Sequence, residues 1–147
     1  MSDDMSDIQV SIDIDRPVGD VWDQVSQLED HARWMGDVES ISFPGGQKTG
    51  VGTTMHVLTR VGPFTTNDVI VVEEWNAPDS IAVTHRGIVS GSGVFRLESM
   101  GATTRFTWSE RLSFPWYLGG GITAFAARPV LKHIWRANLR RFAETLT

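Results

Sequence analysis

The sequence predicts an α+β domain in which a curved antiparallel sheet of seven strands closes over one long C-terminal helix, with two short helices between strands 1 and 2. Three observations carry this. Ile8, Val10, Ile12 and Ile14 alternate with Gln9, Ser11, Asp13 and Asp15, the period of a strand with one wet face. Six further strand-like segments, separated by short Gly, Pro and Asn turns, fill the middle of the chain. The final third then changes to helical spacing, with Phe125, Leu131, Ile134, Trp135, Asn138, Leu139 and Phe142 three, four and seven apart. One sheet and one long helix must bury their apolar faces against each other.

After the first strand, Asp15-Arg16-Pro17 leads into Val18, Val21, Trp22, Val25 and Leu28 at helical intervals, so a helix is expected over 17–27. A second helical piece is expected from Asp30 to Met35, with Asp30 as its N-cap and Gly36 as its stop. The strand segments are 38–43, 51–60, 65–75, 80–87, 92–99 and 103–113. They are punctuated by Pro44-Gly45-Gly46, Gly62-Pro63, Asn76-Ala77-Pro78-Asp79, Ser90-Gly91 and Gly101-Ala102; such short turns imply antiparallel neighbours. In the strand 51–60 the inward set is either Met55 and Val57 or His56 and Leu58. In the last helix Arg128-Pro129 is expected to cause a kink or restart, because proline removes a backbone donor and restricts the residue before it. No repeat or second domain interrupts the span 7–146, and the acid-rich residues 1–6 are expected to be disordered.

Composition limits the partners. A chain of 147 residues buries roughly 70% of its unfolded surface, enough for one sizeable core. The net charge of -5 argues against nucleic acid, whose affinity depends on many Lys and Arg neutralising phosphates. There is no cysteine, so thiolate metal sites and disulfides are ruled out. The four histidines, His31, His56, His85 and His133, lack metal-ligand spacing, and neither a metal nor any other cofactor is expected. Gly45-Gly46-Gln47-Lys48-Thr49 is not a phosphate loop, and Gly50-Val51-Gly52 and Gly91-Ser92-Gly93 are not dinucleotide fingerprints. No apolar run reaches the length of a membrane span. The opening residues do not resemble a signal peptide, so a cytoplasmic location without integral membrane association is expected, as a monomer or a dimer.

The chain resembles the START-like superfamily of polyketide cyclases, pathogenesis-related ligand binders and lipid-transfer domains. The resemblance rests on Val10 to Trp22, on Gly50-Val51-Gly52-Thr53, on the strand Gly101 to Trp108 and on the closing helix. It implies the helix-grip fold, with a ligand site between sheet and helix, and no single reaction.

Alternation places Phe106, Trp108 and Glu110 on one face of the last strand, and Ile81, Val83 and His85 on one face of the strand 80–87. Glu110 and His85 are therefore two separate catalytic candidates: a buried carboxylate or an imidazole can move protons or orient a ligand hydroxyl or amine. The plainer readings are, for Glu110, a pair with an Arg near the mouth or a place at the strand end in water and, for His85, a structural hydrogen bond. Asn138, on the apolar side of the helix, needs partners for its amide, from a ligand or water or from nearby backbone. Trp75, Trp108 and Trp135 are candidate walls for rings or acyl chains, together with Val83, Phe95, Phe106, Phe125 and Leu131, whereas Trp22 and Trp34 are expected to pack the short helices. The stretch Phe114 to Gly121 is either a lid with a glycine hinge or a passive seal.

The expected function is the binding or transport of an apolar lipid, acyl or aromatic ligand. A cofactor-free cyclase or dehydratase is the first alternative. A protein-interaction module of a stress or toxin-antitoxin system is the second.

Overall fold

The computed structural model describes residues 5–146. Strand β1 (Met5–Ile14) is followed by helix α1 (Val18–Val25), a 3-10 turn (Leu28–Asp30) and helix α2 (His31–Trp34). Strands β2 (Val38–Ser42), β3 (Thr54–Val61), β4 (Phe64–Asn76), β5 (Ser80–Arg86), β6 (Ser90–Met100) and β7 (Thr103–Ser113) come next. A second 3-10 turn (Trp116–Leu118) leads into helix α3 (Gly120–Glu144). The seven strands form one antiparallel sheet in the order β1-β7-β6-β5-β4-β3-β2. The first strand thus closes beside the last, as expected of a sheet wrapped around a helix.

Cross-strand register decides which side chains point inward. Val10 lies opposite Trp108, Trp108 opposite Phe95, Phe95 opposite Ile81 and Ile81 opposite Trp75. Because the side-chain period is two, Ile8, Phe106, Glu110, Val83 and His85 share that same inner face. In β3 the inward pair is Met55 and Val57, both buried, which resolves the register that the sequence left open.

The interior has two parts. The larger gathers Ile8, Val10, Val21, Val25, Trp34, Phe106, Trp108, Trp135, Leu139 and Phe142. The smaller holds Leu28, Met55, Val57, Val72 and Ile81, with Trp22, Ile70, Trp75 and Val83 packed around it. Helix α3 lies mainly against β1 and grips the first part, whereas Leu28 of the first 3-10 turn and Trp22 of α1 pack with the inner face of β3–β5. Trp22 does pack its short helix, edge-on to Trp75 at 5.5 Å. Trp34 instead sits centrally, within 6.3 Å of Phe95, Phe106, Trp108 and Phe142.

Several boundaries differ from the sequence reading, each for a physical reason. Residues 1–4 of the expected disordered terminus lie outside the described residues, and β1 already pairs with β7 from Met5. Strand β3 starts at Thr54 because Gly50 and Gly52 adopt positive φ of 82° and 90° and turn the chain first. Ser90-Gly91 is strand rather than turn: Ser90 pairs with Ser113, and a Cβ at Gly91 would collide with the Arg111 carbonyl. That glycine serves close strand approach. Asp30 closes a 3-10 turn and makes no side-chain cap. Helix α3 does not restart at Pro129: it is one helix of 25 residues with the proline inside it.

Candidate functional site

Glu110 and His85 stand on strands that are not neighbours. Adjacent strands lie roughly 4.8 Å apart, so β6 separates β7 from β5, and a side chain at the intervening position would fill the gap. That position is Gly93, opposite both Glu110 and Val83. A Cβ there would lie 2.5 Å from Glu110 Oε1. Glycine therefore lets the carboxylate lie across β6, where Oε2 accepts from His85 Nε2 at 2.7 Å. The other oxygen, Oε1, accepts from Trp108 Nε1 at 2.9 Å. Both side chains are sheltered, His85 at 16% and Glu110 at 7% of full exposure. A sheltered ion pair of this kind persists only when its geometry and supporting hydrogen bonds offset desolvation.

Asp68 completes the cluster. It lies on β4, two residues from Ile70, which pairs with His85, and so on the same inner face. Its Oδ1 is buried without a hydrogen-bond partner among the described residues, while Oδ2 accepts from Thr66 Oγ1 at 3.3 Å. A side chain at Gly87 would strike Oδ1, so this glycine too leaves room for a carboxylate. Burial raises the Asp68 pKa above the usual carboxylate value, against the pull of the nearby His85 charge. At His85 burial pushes the pKa down, but the hydrogen bond to Glu110 and the charges of Glu110 and Asp68 hold it above 6.5. Composition and spacing gave no reason to select Asp68; the register Ile70 to His85, unknowable before the strands are paired, is what brings it in.

Around this polar cluster the inner face is apolar. Trp108 stacks on Trp135 of α3, ring centroids 4.9 Å apart and planes 15° from parallel. Phe106 is fully buried, whereas Val83, Phe95, Trp75 and Leu131 are only half-buried and pack at the borders of the two core clusters. Val83, Trp75 and Phe95 on the sheet and Leu131 on α3 thus keep part of their apolar surface open. The arrangement offers an imidazole–carboxylate pair, with a second carboxylate close by, among aromatic and aliphatic walls. Such a pair can orient a hydroxyl or amine, or move a proton between neighbouring atoms.

Two expected site residues lie elsewhere. Phe125 is 73% exposed, on the outer side of α3. Asn138 is fully buried, but its amide is taken up by protein groups: Oδ1 accepts from the Gly36 N–H at 2.9 Å and Nδ2 donates to Asp37 Oδ1 at 2.8 Å. Arg141 Nη1 also donates to Asn138 Oδ1 and to the Trp34 carbonyl, each at 3.3 Å. Asn138 ties the end of α2 to α3, and Gly36 leaves room for the Arg141 guanidinium, which would have to shift for a Cβ there. No group of three or more His, Cys, Asp or Glu among the described residues could hold a metal ion.

A family profile described as polyketide cyclase / dehydrase and lipid transport matches residues 5–147. The chain belongs to that family. Its fold matches a START superfamily protein of Mycobacterium smegmatis, with TM-score 0.77 at 13% identity over 96% of this chain and 99% of that one. It also matches the Zhui aromatase/cyclase of Streptomyces, with TM-score 0.76 at 16% identity over 97% and 93%. A Thermus thermophilus protein gives TM-score 0.82 at 15% identity over 95% and 96%. A search of curated proteins by sequence found no match. At these identities the likeness shows the START-like fold; the ligand of this chain has to come from its own residues.

Proposed function

We propose that this chain binds an apolar small molecule, a lipid, acyl chain or aromatic polyketide-like compound, between the inner face of the sheet and α3. The observation that carries the reading is the His85–Glu110 pair, sheltered at 2.7 Å beside half-buried apolar walls. A site of this kind holds a hydrophobic ligand by its area and fixes its orientation through a few polar groups. Trp108, Trp135, Phe95, Val83, Trp75 and Leu131 supply the walls, and Glu110 and His85 the anchor. No cofactor enters this reading, and binding takes place in the cytoplasm. Among the described residues no helix is long and apolar enough to cross a membrane.

A second reading, a cyclase or dehydratase, is favoured by one feature. Asp68 and Glu110 flank one imidazole, as a group that takes a proton from carbon and returns it to oxygen would need. Tryptophan-fluorescence titration with acyl and aromatic compounds tests the first reading. Saturable quenching that weakens in Trp135→Phe supports it, and no quenching across the panel contradicts it. Turnover that Glu110→Gln and His85→Asn abolish while binding persists would establish the enzyme.

A further inference from the structure

Charge along this chain is segregated. Between Glu110 and Glu144 there is no Asp or Glu at all, while Arg111, Arg128, Lys132, Arg136, Arg140 and Arg141 fall inside that span. The protein as a whole carries -5, so the β7–α3 segment is a basic element on an acidic body. Of these cations Arg111 is engaged by Asp7; Lys132, Arg136 and Arg140 have no ion-pair partner among the described residues.

The same segment exposes bulky apolar groups that a water-facing surface does not need. Trp116 is 83% exposed, Tyr117 63% and Ile122 82%. On α3, Ile122, Phe125, Pro129, His133, Arg136 and Arg140 follow one another at three- and four-residue steps. All are exposed, and together they make a single outward stripe. Its first half is apolar and its second half basic. The opposite face of the helix carries Ala124, Trp135, Leu139 and Phe142 into the core, so this stripe is surplus to folding. Ile88, 51% exposed, lies in the β5–β6 turn at the same end of the sheet, since Ser90 pairs with Ser113.

Apolar groups flanked by Trp and Tyr, with Arg and Lys alongside, match the boundary of an anionic bilayer. There aromatic rings settle at the headgroup level, apolar side chains enter the acyl boundary, and cations meet lipid phosphates. We propose that the Trp116–Leu118 turn and the outward stripe of α3 dock this protein on an anionic lipid surface. The site is peripheral and separate from the interior anchor of Glu110 and His85. Its cations give selectivity for charged lipid, and its aromatic turn gives depth.

Co-sedimentation with phosphatidylcholine vesicles, pure or containing about a quarter phosphatidylglycerol, tests this directly. The full chain is expected to bind the mixed vesicles, to bind the neutral ones far less, and to be released in about 1 M salt, where the Debye length is ~3 Å. Placing a charge in the apolar half, as in Ile122→Glu, or removing the ring in Trp116→Ser, is expected to weaken binding about tenfold or more, the loss of one buried apolar side chain. Lys132→Glu with Arg136→Glu is expected to remove the preference for anionic vesicles. Circular dichroism establishes that each variant is folded. Absence of binding to either vesicle overturns the proposal, as does undiminished binding by folded Ile122→Glu. Sedimentation velocity showing a dimer that Trp116→Ser dissociates would assign the face to a second copy of the chain and overturn it equally.

Discussion

Gly93 decides whether Glu110 can reach His85. In Gly93→Ala the new methyl would stand at 2.5 Å from Oε1, so the carboxylate must swing away or the strands must part. The variant is expected to lose about 1–3 kcal/mol of stability, the usual cost of forcing an extra carbon into a filled site. It should also bring the His85 pKa back down. Imidazole titration by NMR reads the second effect, and an unchanged His85 pKa in Gly93→Ala would show that the pair does not depend on that gap. Asp68→Asn removes a negative neighbour and is expected to lower the His85 pKa as well.

The two buried histidines load stability in opposite directions. Burial drives His31 down to about 4, although its Nε2–H donates to the Val25 carbonyl at 2.7 Å. Its unfolded value is near 6.5, so the stability it contributes is complete above that pH and is lost as pH falls toward 4, on the order of 3 kcal/mol over the interval. His85 is raised; its contribution is complete below about pH 6.5 and is lost as pH rises through the raised value. Denaturant melts across pH should therefore give a maximum near the ordinary histidine value. His31→Gln is expected to flatten the acid side, and Glu110→Gln the alkaline one.

At the scale of elements, Asn138 is a brace between α2 and α3. Asn138→Ala leaves the Gly36 N–H and the Asp37 carboxylate without their partner, and is expected to cost about 1–3 kcal/mol in a chemical melt. Ligand quenching of the folded protein should be unaffected. A loss of quenching with stability intact would return Asn138 to the site. The sequence placed this residue on the correct face of α3, but it could not show which loop would fold back onto it, because Gly36 and Asp37 lie about a hundred positions away. Element types were legible for a related reason: alternation and helical spacing are local signals, so the inward faces of β5 and β7 could be read directly. Non-local facts could not. The pairing of Ser90 with Ser113, the gap at Gly93 and the arrival of Asp68 beside His85 all depend on register between distant strands. Phe125 was misread because helical spacing does not say which side of α3 meets the sheet: Phe125 falls on the outward side with Ile122 and Pro129, while its neighbour Ala124 is the residue buried in the core.

The whole molecule is a sheet gripped unevenly. Helix α3 covers β1 and the aromatic cluster around Trp34, while on the inner face of β4 and β5 Ile70, Trp75 and Val83 stay half-buried around the buried Met55, Val57, Val72 and Ile81, with one polar cluster at their side. A ligand that completes this interior binds the folded state alone, so it stabilises by mass action, about 2.7 kcal/mol at a hundredfold excess over Kd. For a domain of this size that corresponds to a rise in Tm of roughly 5–10 °C. Thermal melts with a compound that quenches Trp135 should show the rise, and Glu110→Gln should reduce it if the anchor holds the ligand's polar end. Native mass spectrometry of the purified protein beside a denatured control tests the central claim most directly. A discrete extra mass is expected on the folded protein that disappears on unfolding, or that appears after exposure to an acyl or aromatic compound in equal proportion. A folded protein that retains no mass and takes up none from a broad set of such compounds would contradict it.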